Sequence, residues 1–128
     1  MEKLRFDIEA AAKASDVFRR VLWTGQNSQL VLMSLKAGEE IGEEVHHLDQ
    51  LLFFVAGSGK AVLDDKEMEF SAGQSVVVPA GTKHNFINTA GSEAVKLYTV
   101  YAPAEHPDGT VHQTKAEADA AEAAEHQH

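Results

Sequence analysis

The feature that most constrains this chain is a series of short β-rich segments, divided by glycine-containing turns, between residues 17 and 102. Turns such as Ala37-Gly38 and Ala72-Gly73 separate these segments, and no helical pattern lies between them. Many short strands with such turns are typical of an antiparallel sandwich or barrel. The predicted strands are Val17–Thr24, Gln29–Lys36, Glu43–His47, Gln50–Ala56, Lys60–Leu63, Lys66–Phe70, Ser75–Val78, His84–Asn88 and Val95–Tyr101.

The chain divides into three predicted zones around one core, which 128 residues are enough to form. Residues 1–16 form an N-terminal extension in which Asp7 caps a short helix, Ile8–Ala14, favoured by its alanines. Residues 17–102 form the barrel, and residues 103–128 form a C-terminal extension that ends in an acidic, alanine-rich tail. That tail has helix propensity but no apolar stripe beyond alanine, so we expect a solvated helix that is mostly unpacked.

Composition excludes several classes of protein. The chain has no cysteine, which excludes disulfide scaffolds, thiolate metal sites and a cysteine nucleophile. Its net charge of −9 disfavours nucleic acid and anionic membranes as partners. The longest apolar run, residues 51–56, is far shorter than the roughly 20 residues of a membrane span, and the charged first residues lack the apolar core of a secretory signal. We therefore expect a soluble cytoplasmic protein that binds neither nucleic acid nor membranes.

Four polar residues in the barrel zone are candidate metal ligands. Glu44 and His46 are two residues apart, so in an extended segment their side chains share one face while His47 points the other way. Gln50 begins the next predicted strand, and His84 begins another strand just after a Pro-x-Gly turn. Taken singly, each has an ordinary explanation: a solvated glutamate, a surface or core histidine, or a glutamine that caps a turn.

The spacing of these residues resembles the two sequence motifs of the small cupins. The first motif is Gly, five residues, His-x-His, three or four residues, Glu, six residues and Gly. At those positions this chain has Gly38, Glu44, His46, Gln50 and Gly57. The second motif is Gly, five residues, Pro-x-Gly, two residues, His, three residues and Asn. Every position of it is matched here, by Gly73, Pro79, Gly81, His84 and Asn88. The resemblance implies an all-β fold, the double-stranded β-helix or jelly-roll barrel, with a short N-terminal helix and a C-terminal tail.

The resemblance also implies a metal site, although two of its ligands differ from the usual ones. Glu44 stands where the family usually has its first His, and Gln50 stands where it usually has Glu. One carboxylate and two imidazoles suit a divalent Fe, Mn, Ni or Zn ion with positions open for water or substrate. The implied ligands are Glu44, His46, Gln50 and His84. In the alternative, the pocket holds no metal and these residues hydrogen-bond to each other and to a ligand.

Three functions are compatible with this reading. No Ser/His/Asp set, phosphate loop or dinucleotide motif can be assigned, so catalysis would have to be metal-centred. The first is binding of a small oxygen-rich molecule (a sugar, oxo acid or diketone) to the metal, with isomerase, lyase or dioxygenase chemistry if turnover occurs, which the sequence leaves open. The second is a non-catalytic small-molecule-binding cupin. The third is a structural barrel that forms a homodimer, for which the apolar strand Val17–Thr24 is suited.

Two longer phrases, residues 41–50 and 98–112, resemble a bacterial subgroup of single-domain cupins often labelled mannose-6-phosphate-isomerase-like. That label rests on fold similarity and carries no evidence of isomerase activity. Several residues near the predicted pocket have open roles. Asp49 either orients His46 or is an ordinary turn residue. Other candidates for the pocket mouth or the barrel surface are Tyr98, Tyr101, His106 and His112.

Overall fold

The fold consists of nine β-strands and two helices within the residues that the computed structural model describes, 3–89, 91 and 93–125. Eight strands lie within two residues of their predicted bounds at each end, and the helix Ile8–Ala14 has the predicted bounds. In chain order the elements are α1 (Ile8–Ala14), β1 (Arg19–Thr24), β2 (Gln29–Leu35), β3 (Asp49–Ala56), β4 (Ser58–Leu63), β5 (Lys66–Ser71), β6 (Ser75–Val78), β7 (His84–Asn88), β8 (Val95–Ala102), β9 (Val111–His112) and α2 (Lys115–Glu125).

The strands form two antiparallel sheets whose inner faces share one core. The larger sheet has the order β6-β3-β8-β2-β1-β9, and the smaller has the order β5-β4-β7. Side chains of β3, β7 and β8 alternate between buried and more exposed positions, as expected when one face of each strand is turned inward. The expected all-β jelly-roll barrel with a short N-terminal helix is confirmed.

The segment predicted as a strand at Glu43–His47 is not a regular strand. It belongs to an irregular stretch that runs antiparallel to β7 and pairs with it through two isolated bridges, at Glu40 and at Glu44. Gly42 lies between the bridges with φ of 108°, a conformation that glycine tolerates far better than other residues. This glycine explains why the ladder is interrupted, and the stretch still covers the open edge of β7.

Large aromatic side chains fill the part of the barrel away from the candidate ligands. The rings of Phe54 and Phe70 stack with centroids 3.9 Å apart, and Phe86 lies 6.0 Å from Phe54. Phe54 and Phe86 are almost fully buried, together with Leu52 on the same inward row of β3. These residues belong to the hydrophobic core.

Helix α1 packs against strands of the larger sheet. Helix α1 contacts β2, β3 and β8, and its Ala12 is fully buried. Asp7 lies at the N-cap position as predicted, but its side chain makes no capping hydrogen bond.

No helix among residues 3–89, 91 and 93–125 is long and apolar enough to cross a membrane.

The C-terminal extension is more closely attached to the barrel than its sequence predicted. Strand β9 pairs with Arg19 and Arg20 of β1, and Ala118 of α2 is buried in the core cluster. The expectation of a mostly unpacked tail was wrong for this stretch, because Ala118 packs into the core and Glu122 of α2 contacts Arg19 of β1. The division of the chain at residues 17 and 102 stays a prediction.

The pairing of β9 with β1 contradicts the prediction that β1 forms an open edge of the larger sheet. Strand β1 lies between β2 and β9, so its first half is not an open edge, contrary to its predicted use in a homodimer. The edge strands of the larger sheet within the described part of the chain are β6 and β9. Val77 of β6 is 55% exposed, which is unusual for a valine in a strand.

Candidate metal centre and adjoining cavity

At one end of the barrel, the inward-facing positions of β3 and β7 carry polar side chains instead of apolar ones. Along β3 the inward residues run from Gln50 through Leu52 to Phe54, and along β7 His84 precedes Phe86. Gln50 and His84 are only 3% exposed, so both are buried although they are polar. This polar end of the barrel holds the residues that the motif spacing selected.

Backbone hydrogen bonds fix Glu44 and His46 beside His84. The amide of Glu44 donates to the carbonyl of His84 at 2.9 Å, and the amide of His84 donates back to Glu44 at the same distance. The amide of Gly81 donates to the carbonyl of His46 at 2.8 Å. His47 is exposed, so the predicted alternation is confirmed even though the segment is irregular.

The two imidazoles and the carboxylate lie close together. Nε2 of His46 is 3.3 Å from Oε2 of Glu44, and the ring centroids of His46 and His84 are 5.1 Å apart. Nδ1 of His84 lies 2.8 Å from the carbonyl oxygen of Thr82. A carbonyl only accepts, so Nδ1 carries the proton and Nε2 of His84 keeps a lone pair for another partner.

Gln50 is oriented by a short relay of hydrogen bonds. The hydroxyl of Thr99 donates to the carbonyl of Leu51 at 2.8 Å, and Nε2 of Gln50 donates to that hydroxyl at 3.1 Å. The relay uses Nε2 of the Gln50 amide. The other atom of that amide, Oε1, is buried without a hydrogen-bond partner in the described structure. A buried acceptor without a partner costs free energy, so it points to a group that the site binds.

Burial sets the protonation states of the site. Burial, with a smaller contribution from the charge of Glu122, raises the pKa of Glu44 to about 7. Burial, followed by the neighbouring His84, lowers the pKa of His46 to about 4, and burial also lowers the pKa of His84. Both imidazoles are therefore neutral near pH 7, the state in which a histidine binds a metal.

These residues have the donor atoms that a metal ion needs, but their side chains do not yet converge on one point. No three His, Asp or Glu side chains in the described part of the chain already converge as a metal site. The donors nevertheless match an ion that takes nitrogen and oxygen ligands, and the partnerless oxygen of Gln50 supplies a fourth. A separation of 3.3 Å between His46 and Glu44 is also that of two neighbouring ligands on one ion with bonds of about 2.1 Å.

The site contains acidic and histidine residues that the motifs did not select. Oε2 of Glu105 lies 3.5 Å from Nδ1 of His46, so Glu105, and not Asp49, is the carboxylate beside that nitrogen. Asp49, the first residue of β3, instead accepts a hydrogen bond from the amide of Ala80 at 2.9 Å, so it stabilises the turn that contains Ala80. Glu105 carries no motif spacing, and its only sequence signal is its place in the polar segment after Pro103.

His106 also belongs to the site. A buried glutamine, Gln29, accepts from the amide of His106 at 3.0 Å and donates to its carbonyl at 2.7 Å. The imidazole lies edge-on to Tyr101, with ring centroids 5.2 Å apart, and its Nε2 is buried without a hydrogen-bond partner among the described residues. Burial, with the charge of Arg19 next, lowers the pKa of His106 to about 3, so this ring is neutral.

These side chains surround a cavity of about 270 Å³ that adjoins the candidate ligands. Tyr101 contacts His46 from the inward row of β8, with ring centroids 6.0 Å apart, whereas Tyr98 stacks on Phe53 away from it. His112 lies farther along, against Arg19. The residues that line the cavity are Glu43, Glu44, Val45, His46, Glu105, His106 and Glu122.

Comparison with known proteins agrees with this architecture. Residues 31–101 match the family described as Cupin domain, and the chain belongs to that family. It is 47% identical over 123 residues to the uncharacterized protein YrkC of Bacillus subtilis strain 168, covering 91% of this chain and 66% of YrkC. It is 41% identical over 98 residues to the uncharacterized protein L612 of Acanthamoeba polyphaga mimivirus, covering 73% of this chain and 61% of L612. The chain thus spans less than two thirds of the length of either relative.

A solved structure extends the likeness to three dimensions. The crystal structure of the BH2720 protein of Bacillus halodurans superposes with a TM-score of 0.89 at 43% sequence identity, covering 91% of this chain and 93% of that one. The jelly-roll barrel of the small cupins is therefore the fold of this protein. The mannose-6-phosphate-isomerase-like subgroup stays a prediction.

Proposed function

We propose that this protein is a metal-binding cupin in which one divalent transition metal (Fe, Mn, Ni or Zn) takes a small oxygen-rich molecule in the adjoining cavity. The proposed ligands are Glu44, His46, Gln50 and His84. The observation that carries the proposal is the buried, partnerless Oε1 of Gln50 at the end of the barrel where Nε2 of His84 keeps its lone pair. Such an oxygen is explained by an ion that completes its environment.

The surrounding residues support roles in binding more directly than in turnover. When bound, the metal would supply Lewis-acid polarisation of a ligand oxygen. The carboxylate of Glu105, 3.5 Å from Nδ1 of His46, would orient this ring so that its Nε2 is directed toward the metal. His106 presents a neutral, partnerless Nε2 at the cavity wall, where it can accept or donate one hydrogen bond to a bound molecule. Isomerase, lyase or dioxygenase chemistry at this site remains a proposal, as does a purely ligand-binding role.

The proposal includes a homodimer in the cytoplasm. The exposed Val77 on edge strand β6 supports pairing of that edge with a second copy. The charge of −9 supports a ligand other than nucleic acid or a membrane. Sedimentation at micromolar concentration tests the dimer: we expect wild type to sediment as a dimer and Val77→Lys as a monomer, and a monomeric wild type contradicts it.

Isothermal titration with each metal tests the site. We expect His46→Ala and His84→Ala to abolish binding, because each removes an imidazole ligand from a set with only one carboxylate. His47→Ala is the matched control, since this neighbour is an exposed histidine of the same segment. Loss of metal binding in His47→Ala with retention in His46→Ala contradicts the proposed site.

A further inference from the structure

Arg19 is a buried cation that makes few hydrogen bonds within the described part of the chain, and its guanidinium lies 5.3 Å from the centroid of the Phe18 ring. It is the first residue of β1 and is 1% exposed. Its Nη1 lies 3.2 Å from Nδ1 of His112, whereas its Nε has no hydrogen-bond partner in the described part of the chain. A guanidinium carries five N–H donors in a fork that matches the two oxygens of a carboxylate. A buried guanidinium whose Nε lacks a partner points to a ligand that supplies one.

Glu122 of α2 lies against this guanidinium without satisfying it. Its Oε1 is 3.7 Å from Nη1 of Arg19, close enough for an ion pair and too long for a hydrogen bond. The same side chain lines the cavity that contains Glu44 and His46. It is 29% exposed, so it can rotate toward water without disturbing the core. The Glu122 carboxylate is therefore weakly bound beside Arg19, at the place where the carboxylate of a ligand would bind.

The charge around the cavity limits what can bind there. Besides burial, the larger cause, the positive charge of Arg19 lowers the pKa of His106 and contributes to the lowered pKa of His46. Its field thus extends to the candidate metal ligands. Four glutamates line the same cavity, so a multiply charged anion meets strong repulsion. A monocarboxylate that replaces the Glu122 side chain leaves the number of negative charges at Arg19 unchanged.

We propose that Arg19, which lies behind the cavity-lining Glu122, is a carboxylate-binding residue, and that a small monocarboxylate with a second oxygen donor, such as a 2-oxo acid, binds to it by displacing the Glu122 side chain. The second donor would face the metal end of the cavity, and in that respect the inference rests on the proposed function. The contact with Arg19 does not need the metal.

The test is titration of pyruvate into the full chain, followed by calorimetry or by NMR shifts. Glu122→Gln removes the competing carboxylate, and we expect it to bind pyruvate at least fivefold more tightly than wild type. Glu117→Gln is the matched control, because it removes the same charge from an exposed position on the same helix. Methyl pyruvate, which keeps the 2-oxo group but has no carboxylate, should bind all variants alike.

A second substitution locates the effect at the guanidinium. Arg19→Lys keeps the charge but loses the fork, so in the Glu122→Gln background it should remove the gain in pyruvate affinity. The comparison of Glu122→Gln with Glu117→Gln decides the question even if Arg19→Lys fails to fold. Equal pyruvate affinity in those two variants, or an equal gain for methyl pyruvate, overturns the inference.

The same proteins separate this inference from the proposed function. Each titration is run with metal and again with excess chelator. If metal binds as proposed but Glu122→Gln gives no gain for pyruvate, the inference is wrong and the metal site stands. If no metal binds but the gain persists with chelator, Arg19 is the carboxylate site and the proposed metal site is wrong.

Discussion

The two ends of the barrel differ in what fills them. At one end Phe54, Phe70 and Phe86 pack against each other, with ring centroids 3.9 to 6.3 Å apart. At the other end the same inward rows carry Gln50 and His84, with polar atoms that lack part of their hydrogen bonding. The apolar end stabilises the fold, whereas the polar end is held in place by it at a cost in stability. Substitutions at the two ends should therefore have opposite consequences.

The largest effect is expected at the apolar end. Phe86→Ala should lower the free energy of unfolding by about 3–5 kcal/mol, because it opens a cavity between rings that cannot fully collapse. Urea unfolding measures the change. The control is Leu4→Ala, an exposed position before α1 and away from the proposed dimer edge, where a change within about 0.5 kcal/mol is expected. A loss below about 1 kcal/mol for Phe86→Ala would mean that the aromatic cluster does not carry the core.

At the polar end, replacing Glu44 should stabilise the metal-free protein at alkaline pH. The folded-state pKa of Glu44 is about 7, above its ordinary value of 4.5. A raised pKa contributes stability that is fully present below pH 4.5 and lost as the pH rises through 7. With chelator present, Glu44→Gln should gain about 1–3 kcal/mol relative to wild type between pH 4.5 and pH 8.

Urea unfolding of both proteins across that range measures the gain, and groups common to both cancel. His46 has the opposite sign, because its lowered pKa contributes stability that is present above pH 6.5 and lost as the pH falls through 4. A difference between Glu44→Gln and wild type that does not change with pH would contradict the burial of this carboxylate.

The pH dependence of metal affinity should be set by Glu44 rather than by the imidazoles. Sequence alone predicts a fall near pH 6.5, the usual range of histidine. Since burial lowers the pKa of His46 to about 4 and raises that of Glu44 to about 7, the proton that competes with the metal binds to Glu44. We expect metal affinity to fall about tenfold per pH unit below pH 7. Calorimetric titration between pH 5 and 8 checks this, and a metal affinity that does not change between pH 5 and pH 7 contradicts it.

The smallest effect is expected at Gln50. Gln50→Glu restores the commoner family residue and adds a negative ligand, so it should tighten metal binding by up to about tenfold at pH 8. Gln50→Leu is the control of similar size without an oxygen, and it should weaken binding. If the two variants bind metal equally well, Gln50 is not a ligand and its partnerless oxygen has another cause.

The fold could be predicted from local sequence signals, and so could the four candidate ligands at the polar end of the barrel. Short strands and glycine turns are local features, and the fixed spacing from Gly38 to Gly57 and from Gly73 to Asn88 places the four candidate ligands in two motifs. Asn88 shows that motif membership does not imply a ligand. Its Nδ2 donates to the carbonyls of Leu35 and Glu93 at 3.0 and 2.9 Å, which ties the end of β7 to neighbouring segments.

The rest of the polar end depends on contacts between distant parts of the chain. Arg19 and His112 are 93 residues apart, and only the pairing of β1 with β9 brings them together. Glu105 and Glu122 enter the site for the same reason, through a C-terminal extension whose composition predicted an unpacked tail. No periodicity or spacing in the sequence encodes these contacts.

The claim that the polar end of the barrel binds one metal is tested most directly by anomalous diffraction from crystals grown with Mn(II) or Ni(II). We expect one peak inside the barrel, at about 2.0–2.3 Å from a nitrogen or oxygen of each of Glu44, His46, Gln50 and His84. A barrel without a peak, with metal bound instead at surface residues or at the C-terminal His126 and His128, which lie outside the described residues, would contradict it.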